Sequence, residues 1–319
     1  MRIVRHHRDV PPEAKGAVVA LGNFDGVHRG HRAVIAHAMA RAREMNRPAA
    51  ALTFEPHPRR YFQPDAPSFL LNSESGKLRL LAATGLDGAI VATFDAKLAS
   101  LTAEEFVSRI LVDRLAISGA AIGFNFHFGK ERGGSPEFLV KQGEARGFGV
   151  EIVPPLEYAG MRVSSGAVRA ALTAGRVAEA ADLLSYPWFV TAEVVHGDKR
   201  GRELGFPTAN MRLDPDCALK HGIYAVRVGQ GEKRYEGVAS FGRRPMFDSG
   251  AVLLEVHLFD FKGDVYGAEL DVAFISWIRP ELTFDSIDDL IRRMDEDARL
   301  ARAALAKSPD AFPKLAPIA

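Results

Sequence analysis

Two histidines, His28 and His31, flank Gly30 in the run Gly22-Asn23-Phe24-Asp25-Gly26-Val27-His28-Arg29-Gly30-His31. The run follows an apolar stretch, Ala17 to Leu21, and opens a helical pattern reaching about Met45. A buried strand therefore hands over to a helix N-terminus at the histidines. Backbone N–H groups and the positive end of the helix dipole gather there, and imidazoles added to them suit the charge that develops on a phosphate under attack. Gly22, Gly26 and Gly30 permit tight turns and close approach of a ligand to the backbone. The spacing is neither G-x-G-x-x-G nor G-x-x-x-x-G-K-[ST], which argues against a dinucleotide fingerprint or a P-loop.

A second concentration of chemistry lies further on. His196-Gly197-Asp198-Lys199-Arg200-Gly201-Arg202-Glu203-Leu204-Gly205 leads into Phe206-Pro207-Thr208-Ala209-Asn210. Glycines and cations in such a loop bring backbone N–H groups to phosphate. Thr208 and Asn210 offer a hydroxyl and an amide carbonyl, both hard oxygens. Glu255, in the strand-like run Leu253 to Phe261, alternates with Leu254 and Val256 and points away from them. His257 shares its face.

The elements that hold these groups fall into two patterns. Up to about Leu184, apolar runs (49–54, 88–94, 119–122 and 150–153) alternate with helical segments. Thr102-x-x-Glu105 is a capping box opening a helix to about Leu115, and Ser135-Pro136 starts another that runs to about Arg146. Ser164 begins a pair of short helices. Such alternation implies a parallel sheet covered on both faces. From about Trp188 to Trp277 the strands (223–228, 235–240, 252–259 and 269–276) have no helices between them, which implies a small antiparallel barrel. A last helix, about Ser286 to Leu305, carries Ile287, Leu290, Ile291, Met294 and Leu300 on one side; Arg292 and Arg293 read as its solvated face. The expected division is 1–184 and 185–319.

Composition narrows the class. The chain has 319 residues, a formal net charge of +1 and one cysteine, Cys217. A disulfide framework and a multi-cysteine zinc site are excluded, and no global charge favours nucleic acid. Neither a signal peptide nor a membrane span is legible, so a cytoplasmic protein with no membrane partner is expected. The sequence leaves room for a weak homo-oligomer without specifying one.

The run GNFDGVHRGH resembles the signature of the nucleotidyltransferase superfamily, and closely that of prokaryotic bifunctional riboflavin kinase/FAD synthetases. Thr53-Phe54-Glu55-Pro56-His57-Pro58, Gly123-Phe124-Asn125-Phe126-His127-Phe128-Gly129 and Val163-Ser164-Ser165-Gly166-Ala167-Val168-Arg169 resemble three further family segments. The last departs at Gly166, where threonine is usual. In the second half, the PTAN loop, the Leu253–Phe261 strand and Gly242-Arg243-Arg244-Pro245 resemble riboflavin kinase segments. The resemblance covers nearly the whole chain. It implies a Rossmann-like α/β domain with a parallel sheet, followed by a β-barrel domain with a C-terminal helix. It implies phosphorylation of riboflavin to FMN by the second domain and adenylylation of FMN to FAD by the first, with ATP as co-substrate and Mg²⁺, or Mn²⁺, as the metal. By the same resemblance His28 and His31 steady the α-phosphate. Gly22, Asn23, Phe24, Asp25, Gly26, Gly30, Ser164, Ser165 and Arg169 contact ATP, and His57, Asn125 and Phe128 contact the flavin. Gly197, Gly201, Gly205, Thr208 and Asn210 hold the kinase ATP, with Thr208 and Asn210 on the metal. Glu255 is the general base, and Arg244 lies near the kinase flavin. A different nucleotidyltransferase, of pantetheine-phosphate or glycerol-phosphate type, explains only the first half. A flavin-storing or RNA-binding regulator leaves the reactive side chains idle.

Overall fold

A computed structural model describes residues 1–5, 10–196, 206–243, 252–308 and 311–318. By internal contacts the chain divides into two compact units: Met1–Ser68, Glu74–Ser164 and Lys314–Ala319 in the first, Phe69–Ser73 and Ser165–Pro313 in the second.

The first unit is built on strands β1 (Arg2–Arg5), β2 (Val18–Leu21), β3 (Ala49–Glu55), β4 (Gly88–Thr93), β5 (Gly119–Gly123) and β6 (Gly149–Val153), with helices α1 (Arg29–Glu44), α2 (Pro58–Phe62), α3 (Glu74–Ala82), α4 (Ala96–Ala99), α5 (Ala103–Glu105) and α6 (Pro136–Arg146). The sheet order is β1-β4-β3-β2-β5-β6, all parallel. One face carries Val19, Leu21, Leu52, Ile90 and Ile122 against Phe106, Ile110, Leu111 and Leu139. On the other, the paired alanines Ala20, Ala51 and Ala121 form a fully buried row across the three central strands. Their small side chains let α1 lie close, and it touches β2, β3, β5 and β6. That seating sets the height of the α1 N-terminus above the strand ends.

Caps follow the sequence signals. Thr102 and Glu105 form the expected capping box, but the helix continues as a π-helical stretch, Phe106–Arg114, instead of α-helix. Ser135 caps α6, and Gly147 ends it in the left-handed region. Two features were absent from the sequence reading. β1 adds an edge strand on β4, and a short hairpin, β7 (Glu157–Tyr158) with β8 (Met161–Arg162), precedes Ser164.

The second unit contains α7 (Ser165–Thr173), α8 (Val177–Leu184) and a closed barrel of β9 (Phe189–Val195), β10 (Ala209–Arg212), β11 (Gly222–Gln230), β12 (Lys233–Arg243), β13 (Val252–Leu258) and β14 (Glu269–Arg279), in the order β10-β13-β12-β11-β14-β9. Trp188 stacks on Phe274 with ring centroids 5.1 Å apart, and its indole N–H donates to the Leu71 carbonyl at 2.7 Å. The last helix, α9 (Ile287–Ala306), packs on β11, β12 and β14. Its contact face corrects the sequence reading. Ile287 is 64% exposed, while Ala301 and Leu305 are fully buried beside Ala298 and Ala304. The barrel wall takes alanines because they let the helix axis come near. Asp297 is buried on the same face in a bidentate pair with Arg279. Arg293 lies 3.6 Å from Asp297, and exposed Arg292 pairs with Asp289. Among the described residues no helix is long and apolar enough to cross a membrane.

Candidate active sites

Strand order places the first site. β3 and β5 lie on either side of β2, so the chain leaves β2 one way and later returns on the other. Ligands of open parallel sheets bind beyond the strand C-termini at such a switch point. Leu21 of β2 pairs with Ile122 of β5. The loops 22–28 and 124–129 therefore leave the sheet as neighbours.

The first loop is held from beneath. Phe24 and Val27 are fully buried with positive φ (52° and 36°), a strained conformation fixed by burial. A Cβ on Gly22 would meet the Phe24 ring at 3.3 Å. Thr53 Oγ1 donates to the Asn23 carbonyl at 3.1 Å. Asp25 is buried, and Gly26 has φ of 87°.

His28 is the N-cap of α1. Its Nδ1 accepts the His31 backbone N–H at 3.2 Å, so a neutral His28 carries its proton on Nε2. The two imidazoles stack with centroids 3.6 Å apart and planes 14° from parallel. Gly30 makes room for this, since a Cβ there would lie 3.1 Å from His28 Cε1. Burial holds the His31 imidazole well below its ordinary pKa, and His28 and Lys77 push the same way. His31 Nδ1 is buried without a hydrogen-bond partner. The first turn of α1 contains no acidic residue, although carboxylates are favoured at that end of a helix. The helix N-terminus is thus left clear for an anion.

The other residues read from the sequence are placed as follows. His57 is the N-cap of α2, its Nδ1 accepting from the Arg59 N–H at 3.1 Å. Asn125 sits in the turn after β5, which the Phe126 N–H closes on the Gly123 carbonyl; His127 Nδ1 donates to the Asn125 carbonyl at 3.0 Å. Phe128 is 7% exposed in the sheet's hydrophobic cluster, with Phe106, Phe126 and Phe138 around it. Ser164 ends the first unit, and Ser165 and Arg169 belong to the second, where Arg169 Nε donates to the Phe69 carbonyl at 2.5 Å. Sequence reasoning missed three neighbours. Arg29 lies over the Tyr158 ring at 3.8 Å and Arg162 over the Phe124 ring at 5.0 Å, so the β7–β8 hairpin touches both sides of the switch point. Lys77, from α3, is buried beside Glu55 and Thr53. Its signal was hidden, because a lysine in a helical pattern reads as solvated.

The second site is written in strand register. Asn210 on β10 is paired with Glu255 on β13, and Glu255 with Ser240 on β12. Directly paired residues present side chains on one face. Here it is the face opposite the buried Met211, Leu254 and Val256. Asn210 Nδ2 donates to the Thr208 carbonyl at 3.3 Å, which uses one of the two amide N–H groups and fixes Oδ1 as the acceptor. His257 Nδ1 donates to the Pro207 carbonyl at 3.0 Å and packs edge-on against Phe206, strapping the loop to β13. Gly197, Gly201, Gly205 and Arg244 lie outside the described residues. Among the described residues no cluster of three or more His, Cys, Asp or Glu side chains forms a metal cage. The donors read from the sequence, the Thr208 hydroxyl and Asn210 Oδ1, are hard oxygens. They fit a magnesium ion held mainly by substrate phosphates.

Sheet, switch point and histidine-capped helix define a nucleotidyltransferase-type unit, joined in one chain to a phosphate-handling barrel. Residues 10–167 match the FAD synthetase family and residues 184–305 the riboflavin kinase family. A bifunctional riboflavin kinase/FMN adenylyltransferase from Pseudomonas fluorescens is 40% identical over 97% of this chain and 99% of that protein. The protein of the same name from Escherichia coli K12 is 40% identical over 95% of this chain and 97% of its own length. A crystal structure described as a macrolide-efflux protein from Streptococcus pneumoniae superposes with a TM-score of 0.84 at 31% identity, covering 95% of this chain and 99% of that one. The chain belongs to the bifunctional riboflavin kinase/FMN adenylyltransferase family, its FAD synthetase part first and its riboflavin kinase part second. Both parts are ATP-dependent transferases.

Proposed function

We propose that the two sites divide the synthesis of FAD as follows, with residues 1–184 carrying adenylyl transfer and 185–319 phosphoryl transfer. In the first, the FMN phosphate attacks the α-phosphorus of ATP and pyrophosphate leaves. Such transfer depends on positioning and charge stabilisation more than on covalent chemistry. The backbone of Gly22–Gly26 and Gly30 cradles phosphate at the end of β2. His28, its Nδ1 committed to the cap, donates from Nε2 to an α-phosphate oxygen, and His31 stacked on it donates to the departing side. The helix dipole supplies about 0.3–1 kcal/mol. An aimed donor in a dry site supplies about 2.7–4 kcal/mol, so the imidazoles dominate. Ser164, Ser165 and Arg169 are assigned phosphate contacts on the strength of their motif. His57 and Asn125 are assigned to the flavin, with Phe128 as the apolar wall behind Asn125.

In the second site, Glu255 takes the proton of the riboflavin 5′-hydroxyl as its oxygen attacks the γ-phosphorus. Thr208 and Asn210 would hold Mg²⁺, with Mn²⁺ as a substitute; the ion supplies charge neutralisation of the phosphates. Gly197, Gly201 and Gly205 are assigned to the ATP phosphates and Arg244 to the flavin by motif. We assign the enzyme to the cytoplasm, where ATP is at hand for both steps.

One observation carries this reading: the histidine cap and the Asn125 turn leave neighbouring strands at the switch point of a parallel sheet. The test uses the full chain with riboflavin, ATP and Mg²⁺, and identifies flavins by chromatography. The expected products are FMN and then FAD. His28→Ala with His31→Ala stops at FMN. Glu255→Gln makes no FMN, yet converts supplied FMN to FAD. Loss of both steps in both variants would overturn the division of labour.

A further inference from the structure

Lys77 belongs to α3, far in sequence from both histidines, yet the residue is only 4% exposed. Nζ donates to Glu55 Oε1 at 2.6 Å and to Thr53 Oγ1 at 3.2 Å. With one lone pair of that hydroxyl occupied, its proton goes to the Asn23 carbonyl at 3.1 Å. The result is a directed chain, ammonium to hydroxyl to carbonyl, ending inside the phosphate loop. An ion pair with its cation buried contributes little net stability compared with apolar packing of the same shape. What this pair does locally is fix one backbone carbonyl four residues before the strained Val27 and five before the His28 cap.

The geometry points to Lys77 as a positioning residue for adenylyl transfer: through Thr53 it fixes the Asn23 carbonyl, and with it the loop that carries His28 and His31. The inference rests on the role given to those histidines above. Lys77 acts through other groups and is not itself placed on substrate. Its charge has a second effect. The titratable groups acting on His31 are His28 at the cap and Lys77 from α3, and both oppose protonation of the ring. Glu55 is engaged by the Lys77 ammonium and is not among them.

The test compares the full-length chain with Lys77→Met, Lys77→Met/Glu55→Gln and Thr53→Val, assaying riboflavin phosphorylation and FMN adenylylation on each preparation. Misplacing the loop should lower kcat for FAD formation about tenfold or more, with KM for FMN little changed and phosphorylation unaffected. Removing the lysine charge should also move the acid limb of the adenylylation profile to higher pH. Full FAD formation in the double variant would overturn the proposal, because an unpaired Glu55 would then be the whole cause of any loss in Lys77→Met. If the lysine variants lose both reactions through misfolding, Thr53→Val decides, since it keeps the side-chain shape and the ion pair. A loss confined to FAD formation supports the relay, and undiminished FAD formation ends it. Wild-type protein that made no FAD would instead refute the assignment of the histidines.

Discussion

The two sites hold their reactive groups by opposite means. At the end of β2, His28 and His31 depend on a loop whose apolar side chains are fully buried at positive φ, on a cap bond between them, and on a glycine that leaves space for a ring. On the barrel, Asn210 and Glu255 need only the register of two antiparallel strands. A loop site of the first kind stores its geometry in packing, so small steric changes should disable it. A register site survives as long as the barrel does, so it should respond to what holds the barrel together.

The most damaging change for the barrel is at Arg279. Its bidentate pair with Asp297 joins β14 to α9 in a buried position. Arg279→Met removes the bidentate partner of a buried carboxylate, leaving it only Arg293 at 3.6 Å, and should destabilise the fold by about 3 kcal/mol. Denaturant titration followed by the two assays should show phosphorylation lost at lower denaturant than in wild type. Arg279→Met with Asp297→Leu should recover most of the stability. Equal loss in single and double variants would show that the charge pair is not what fastens α9.

The corresponding break in the first site is steric. Gly30→Ala puts a Cβ 3.1 Å from His28 Cε1, and the ring must shift by tenths of an ångström. We expect FAD formation to fall about ten- to hundredfold, or about 1.4–2.8 kcal/mol in the barrier, with riboflavin phosphorylation unchanged. An intact rate would show that the imidazole stack is dispensable.

The sites should also part with pH. His31 is held below its ordinary pKa, chiefly by burial. A ring that must stay neutral keeps adenylylation running below pH ~6.5, where a solvated histidine would be charged. The cost appears in stability. Below pH ~6.5 the unfolded chain binds a proton at this histidine that the native chain does not, so stability falls on acidification by up to about 1.4 kcal/mol per pH unit until the native pKa is reached. Replacing His31 with glutamine should flatten that slope in denaturation measured at successive pH values. An unchanged slope would place the acid sensitivity elsewhere.

Much of this was legible in the chain because the residues are contiguous and chemically marked. Strand, glycines and histidines stand in one run from Ala17 to His31, and Thr102-x-x-Glu105 and Ser135-Pro136 are local signals that fold as written. What was illegible is non-local. Lys77 reads as a surface residue until α3 turns it under the sheet end. β9 and β10 flank the glycine-rich run of residues 196–205 in the sequence and have too little pattern of their own. The π-helical turns after Glu105 lie beyond the cap, and no capping signal specifies them.

The face of α9 is the sharpest such case and gives the smallest effect. A stripe chosen by side-chain size includes Ile287, which the barrel leaves at 64% exposure, and omits Ala301, which it buries completely. Close approach of a helix to a barrel wall selects small residues, so size misleads where distance is the constraint. Ile287→Gln should therefore change stability by less than about 0.5 kcal/mol. Ala301→Leu should cost about 1–3 kcal/mol through overpacking, against Phe259 and Ala225 in particular. Thermal unfolding of the two variants checks the ranking, and a larger effect at Ile287 would mean that the helix is seated on its bulky side after all.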